Sequence, residues 1–330
     1  MSAALLLLLL ACAPAGLPAE DAANALASAR TLLNRDRPRE AIAALEELDA
    51  SDPAVALVLG VAHYHAGDAA KAVALLQPAV DKLAEGSAER REAVQVLGLA
   101  LYLAGRIAEA VPWMEATREW AGSNLELHQI LGSAYIQTRQ PDKAREVLAR
   151  VFEVPPEGAA AHLLAAQMMI RLQQEELAEA ELEKAVAKDP RLPQAHFLLG
   201  ELALFRARFA DAAALTRKEI ELNPANNLAW SQLGDIYVRQ QSWDEALKAL
   251  QRSIWVNPFY SAPYILLGRV YMKKREPAAA EAMLRRAIEY DPNNKQAHYL
   301  LGQVLQQTGR TEEARRELEL AERLQGAAGR

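Results

Sequence analysis

This chain of 330 residues holds a single cysteine, Cys12. No disulfide framework can staple it, so in any compartment its stability has to come from packing. Charge of one sign is not concentrated either. The formal net charge of −6 is spread along the chain, and without a basic stripe nothing points to nucleic acid. One locally basic stretch, Arg269, Lys273, Lys274 and Arg275, reads as a solvated helix face. Long apolar runs are missing except for Ala3 to Ala13, eleven residues with six consecutive leucines. That is short of the roughly 20 residues a membrane-spanning helix needs. No HExxH, glycine-rich phosphate loop, GxSxG or CxxC string occurs, so none of the usual carriers of metal, nucleotide or nucleophile chemistry is present.

What is present is a period. Gly60, Gly98, Gly132, Ala166, Gly200, Gly234, Gly268 and Gly302 are anchors separated by one interval of 38 residues and then six of 34. Twelve residues after each anchor stands an alanine: Ala72, Ala110, Ala144, Ala178, Ala212, Ala246, Ala280 and Ala314. Twenty-four residues after five of them stands a proline: Pro156, Pro190, Pro224, Pro258 and Pro292. A period of this length means an array of small units that bury their apolar faces against one another. Within one unit, Trp230, Leu233, Gly234 and Tyr237 share a helix face, and Ala246, Leu247, Leu250 and Ile254 mark a second helix that ends at Asn257-Pro258. Glycine inside a helix costs about 1 kcal/mol relative to alanine. Its recurrence at one register therefore calls for close helix contact. A weaker first copy, Ala29, Ala41, Leu45 and Pro53, extends the array toward the N-terminus.

These residues resemble the tetratricopeptide repeat family, whose pattern of aromatic, Leu-Gly, aromatic, Ala, bulky apolar, small and Pro appears as Trp230, Leu233-Gly234, Tyr237, Ala246, Leu250, Ser253 and Pro258. It appears again as Tyr264, Leu267-Gly268, Tyr271, Ala280, Leu284, Ala287 and Pro292. Departures are Ala166 for glycine, and Thr216 and Glu219 at positions that are usually apolar or small. The resemblance implies an all-α fold, a right-handed superhelical solenoid of about nine helix-turn-helix repeats over residues 20–330.

The histidines do not form a metal site in this reading. His128, His162, His196 and His298 each lie four residues before an anchor, where other repeats carry Trp230 and Tyr264, and copies 34 residues apart fall in successive layers. His63 and His65 are two apart on a helix and point to different sides. Neither an enzyme nor a cofactor is expected.

In tetratricopeptide arrays the first helices of successive repeats line a concave groove. The corresponding positions here include Leu57, Tyr64, Tyr102, Gln129, Leu163, Gln167, Glu201, Phe205, Ser231, Ile265, Lys273 and Gln303. The best candidates for contact with a protein or peptide partner are Phe197, Asp235, Arg239, Arg269 and Tyr299. Apolar and aromatic side chains separated by charged ones suit an extended peptide or an amphipathic helix. The two-carboxylate clamp of co-chaperone members is not matched, since Leu57, Val61, Gln95 and Leu99 stand at its positions.

Residues 1–19 resemble an export signal followed by a short tether. Leu9-Leu10-Ala11-Cys12 resembles the bacterial lipobox, whose cysteine is lipidated, although no Lys or Arg precedes Cys12. Two other readings stand beside it: an ordinary signal cleaved at Ala13-Pro14-Ala15, and a cytoplasmic chain. The leading expectation is a lipid-anchored scaffold of the bacterial envelope, similar to tetratricopeptide lipoproteins of pilus assembly and exopolysaccharide export. The alternatives are an unlipidated periplasmic or cytoplasmic adaptor, or the regulatory partner of a separate enzyme.

The proline positions carry one further expectation. Pro78 and Pro112 fall inside second helices, and the four extra residues of the long interval fall near 82–87. Four residues add about one helical turn, which predicts a longer or kinked second helix there.

Overall fold

The computed structural model describes residues 19–118, 120, 121 and 124–327. Cys12 and the leucine run lie outside them. The described residues form 18 α-helices and no strand, and none of these helices is long and apolar enough to cross a membrane. The chain divides between Glu153 and Val154 into two compact units. The first holds α1 (Ala19–Asn34), α2 (Pro38–Ala43), α3 (Pro53–His65), α4 (Ala69–Val80), α5 (Ala88–Leu103), α6 (Ile107–Thr117), α7 (Leu125–Gln137) and α8 (Pro141–Val151). The second holds α9 (Ala159–Arg171), α10 (Glu175–Lys188), α11 (Ala195–Phe205), α12 (Phe209–Leu222), α13 (Asn227–Arg239), α14 (Trp243–Val256), α15 (Ala262–Lys273), α16 (Pro277–Tyr290), α17 (Lys295–Gln307) and α18 (Thr311–Ala327).

Within each unit, consecutive helices pair into hairpins, and each hairpin packs on the next. The first helices also touch one another in series: α1, α3 and α5 in the first unit, and α11, α13, α15 and α17 in the second. This is the solenoid of stacked hairpins that the 34-residue period predicts.

The hairpin turn is the same in all nine copies. Seven residues after each anchor the backbone is left-handed, at Asp36, Gly67, Gly105, Arg139, Gln173, Ala207, Gln241, Arg275 and Gly309, with φ from 56° to 82°. The next amide donates back to the carbonyl five residues earlier, as in Arg208 N to Ala203 O (2.8 Å) and Ser242 N to Tyr237 O (2.9 Å). A left-handed residue closed by such a bond satisfies carbonyls that the end of a helix leaves orphaned. Asp36 and the bond from Arg37 N to Leu32 O (3.0 Å) place the weak first copy in the same register.

The anchor glycines make room for a side chain as well as for a helix. A Cβ on Gly60 would lie 2.5 Å from Leu76 Cγ, and one on Gly268 would lie 2.7 Å from Leu284 Cγ. On Gly234 it would run into Leu250. In these three cases the neighbour is 16 residues on, in the second helix, and fully buried. The departures from the family pattern are absorbed differently. Ala166 and, 16 residues on, Leu182 are both inaccessible to solvent. Thr216 is buried with its hydroxyl 2.7 Å from both the Ala212 carbonyl and the Gln232 side-chain oxygen. Glu219 is buried too, accepting from Gln194 N (3.3 Å) and Asn226 Nδ2 (3.2 Å).

The expected lengthening of a second helix is not found. With Pro78 and Pro112 inside them, α4 and α6 have 12 and 11 residues, against 14 in each of α10, α12, α14 and α16. Proline withholds one backbone donor and crowds the preceding turn, but α8, whose one proline stands at its first position, is as short as α6 at 11 residues, so the internal prolines alone do not set the length. The extra residues go instead to the 81–87 turn and to α5, which at 16 residues is the longest of the first helices from α3 to α17. Ser87 starts α5 by accepting from Arg90 N at 3.1 Å, as an N-cap does.

Candidate functional site

The starts of four first helices in the second unit are held by one recurring bond. The ring side chain four residues before the anchor reaches the carbonyl of the proline six residues before itself. His196 Nε2 lies 3.0 Å from Pro190 O, Trp230 Nε1 donates to Pro224 O at 3.0 Å, Tyr264 Oη donates to Pro258 O at 2.8 Å, and His298 Nε2 lies 2.9 Å from Pro292 O. Three chemically different rings therefore do one job, fixing where α11, α13, α15 and α17 leave their turns. The histidines at this register are buried. His162 and His298 each bond a glutamate of the following second helix, Glu181 at 2.7 Å and Glu317 at 2.6 Å.

Between the helices so placed lies a concavity of about 410 Å³. Phe197 of α11, Asp235 and Arg239 of α13 and Arg269 of α15 line it together, so four of the five candidate residues share one site. Tyr299 of α17 does not join them. It is half exposed, accepts from Gln303 Nε2 at 3.0 Å, and lines a separate hollow of about 610 Å³ with Leu318 and Ala321. The wider set of groove positions divides by burial. Leu57, Ser231 and Ile265 are buried, whereas Phe205 is exposed.

Sequence periodicity misses part of the lining. Leu228, Tyr260, Leu266 and Gln296 also face the concavity. Tyr260 comes from the turn before α15, at a register where no other repeat has an aromatic, so the period carries no signal for it. Leu228, at the start of α13, is 44% exposed, which leaves an aliphatic side chain on the rim for a partner to cover.

Electrostatics are uneven along the site. Asp235 and Arg239 pair at 2.8 Å, one turn apart on α13. Glu201 is accessible at the rim, yet surrounding protein atoms desolvate its carboxyl enough to hold it above the usual carboxylate range. Burial, and then the charge of Glu201, pushes the Tyr260 phenol up as well. Arg269 makes no ion pair among the described residues.

Two family models, both described as tetratricopeptide repeat, match the chain. One covers residues 26–88, 169–224, 197–258 and 265–328, and the other covers residues 101–168. No curated protein matches. Solved structures with similar folds include MamA 41-end from Desulfovibrio magneticus RS-1, at 18% identity and a TM-score of 0.46, covering 51% of this chain and 96% of that one. Another is YrrB, described as a TPR protein with an unusual peptide-binding site, at 21% identity and a TM-score of 0.45, covering 55% and 94%. PilF of Pseudomonas aeruginosa aligns at 19% identity with a TM-score of 0.49, covering 58% and 88%.

Proposed function

Because the chain belongs to the tetratricopeptide repeat family, whose members are generally non-enzymatic scaffolds for protein–protein contact, we propose that it works by holding a segment of a partner protein in the groove of its second unit. The observation that carries this reading is the concavity shared by Phe197, Asp235, Arg239 and Arg269. It is lined by first helices of consecutive hairpins, so a partner laid along it meets one side chain set after another. Mixed apolar and charged lining is what a peptide or amphipathic helix needs for both anchoring and register. The protein is then an adaptor with no chemistry of its own.

The reading extends to place. The leucine run ending at Cys12 supports export and acylation at that cysteine, which would tether the array to a bacterial envelope membrane. A single acyl chain binds a bilayer only marginally, and firm anchoring takes more than one. Assembly of an envelope complex, such as a pilus or an exopolysaccharide exporter, fits a tethered scaffold. An unlipidated adaptor and the regulatory partner of a separate enzyme are the competing readings.

Two experiments test these readings. A photo-crosslinking residue at Phe197 should trap a partner from detergent-solubilised membranes, and one at Trp255, an exposed position of the second helix α14, should not. Crosslinks from Trp255 and none from Phe197 would move the binding surface to the second helices. For the anchor, growth with a palmitate analogue should label the wild-type chain and not Cys12→Ser. Equal labelling and equal membrane recovery of the two would remove the lipid.

A further inference from the structure

The groove holds a second pocket of a different character. About 280 Å³ in volume, it is lined by Val238, Arg239, Gln241, Trp243, Arg269 and Lys273. None of the six is acidic. Arg239 and Arg269 line both this pocket and the larger concavity, so the two adjoin through their guanidinium-bearing residues.

The nearby acids are already engaged. Asp235 pairs with Arg239 at 2.8 Å, and Asp244, next to Trp243 in sequence, is held by Lys274 at 2.7 Å. The Lys274 ammonium keeps the Asp244 carboxyl below the usual carboxylate range. Arg269 and Lys273 make no ion pair among the described residues, and they sit four residues apart on α15, where like charges repel. The Trp243 indole N–H donates to no acceptor among the described residues. Three cations and a spare donor therefore surround one cavity with a single shared internal counter-charge. Guanidinium forks and an ammonium in such an arrangement are suited to carboxylates.

We infer that the groove's partner segment is acidic, with one or two Asp or Glu side chains seated among Arg239, Arg269 and Lys273 beside Trp243. A bulky apolar residue close to them in the partner's sequence rests on Phe197, Leu228 and Tyr260 in the adjoining concavity. This inference rests on the groove reading above and adds the chemical class of the occupant.

The test uses the full chain immobilised against a bead library of randomised ten-residue peptides, with folding of each variant checked by thermal melting. The wild type should enrich peptides in which Asp or Glu lies within a few residues of an aromatic or aliphatic side chain. Enrichment should weaken as sodium chloride rises, because exposed charge interactions are screened beyond about 10 Å at 0.1 M salt. Lys273→Glu and Arg269→Glu should each lower the affinity of a selected acidic peptide by about fivefold and reduce the acidic bias of the library. Milder Lys273→Gln and Arg269→Gln variants should do the same in smaller steps, which keeps the test decisive if a reversal unfolds the chain. Enrichment with no acidic bias, or a bias unchanged in these variants, overturns the acidic class. If Phe197→Ala then still abolishes enrichment, the groove reading survives without it. If neither Phe197→Ala nor the charge variants alter enrichment, or the wild type enriches nothing, both readings fall. Competition by inorganic phosphate well beyond that of chloride at equal ionic strength would overturn carboxylate recognition in favour of a phosphorylated partner.

Discussion

At Ala207 the backbone asks for glycine and does not have it. The residue occupies the left-handed hairpin turn at φ 56° with its methyl exposed to solvent, where Gly67, Gly105 and Gly309 hold the same place in other copies. Left-handed backbone costs a residue with a Cβ roughly 1–2 kcal/mol, against a smaller entropic cost for glycine in the unfolded chain. Ala207→Gly should therefore stabilise the second unit by about 1 kcal/mol or less, read as a higher urea midpoint at unchanged m-value. At Gly234 the demand is reversed. Leu250 fills the space above it, so Gly234→Leu should cost about 1–3 kcal/mol by overpacking. Gly234→Ala should cost less, because Ala166 already accommodates a methyl at this register. Glu115 shows how pH enters. A hydrogen bond from the Tyr135 hydroxyl, then Lys143 at 3.3 Å, holds its carboxyl below the usual range. A carboxyl depressed in the folded state stabilises above its unfolded pKa and loses that contribution as pH falls through the folded one. Thermal melts of Glu115→Gln between pH 7 and pH 3 should accordingly fall less steeply than those of the wild type.

Among the elements, α4 and α6 are the ones that carry a proline inside the helix. Pro112 removes the amide that would reach Ala108 O, in a helix of only 11 residues. Replacing it with alanine should restore that bond, slow amide exchange across α6 and raise stability, up to the ~3 kcal/mol that an interior proline can cost. No gain in either measurement would mean that the pyrrolidine ring's packing outweighs the bond it removes. Helix pairing was legible because Gly234, Ala246 and Pro258 mark a close contact, a second contact and a stop, each fixed by size or by a missing N–H. The turn was not legible: glycine, arginine, glutamine, alanine and aspartate all occupy the left-handed site, so the backbone state repeats while the residue does not. The placement of the four extra residues was likewise hidden. Sequence counts them between anchors, and the Ser87 cap decides how they divide between the 81–87 turn and α5. For the site, Phe197, Asp235, Arg239 and Arg269 follow from helical register, whereas Gln241, Trp243 and Tyr260 come from turns and helix starts that a helical period does not reach. Tyr299 has the right register and lies in a different hollow.

For the molecule as a whole, an array of hairpins should unfold as a set of neighbouring contacts rather than through one central core. In the first unit's opening hairpin the second helix, α2, is only six residues long and is followed by tight turns such as Leu45 N to Ile42 O (3.0 Å). In the second unit, α13 to α16 combine full-length second helices with short connections. Native-state hydrogen exchange on the full chain should find the strongest protection in α13–α16 and the weakest of the paired helices in α1–α2. Uniform protection across the chain would show that the hairpins do not open separately.

The bond from ring to proline carbonyl also has a meaning for growth. At Pro190, Pro224, Pro258 and Pro292 each joint carries its own latch, and both halves of that latch lie six residues apart in one strip of sequence. A stretch of 34 residues cut just before one such proline and pasted before the next brings a complete joint with it, asking nothing of its neighbours beyond the shared register. Arrays built this way can change length by unequal copying of their own gene without learning a new fold. The groove then gains a further row of side chains at each copy, free to diverge toward a longer partner.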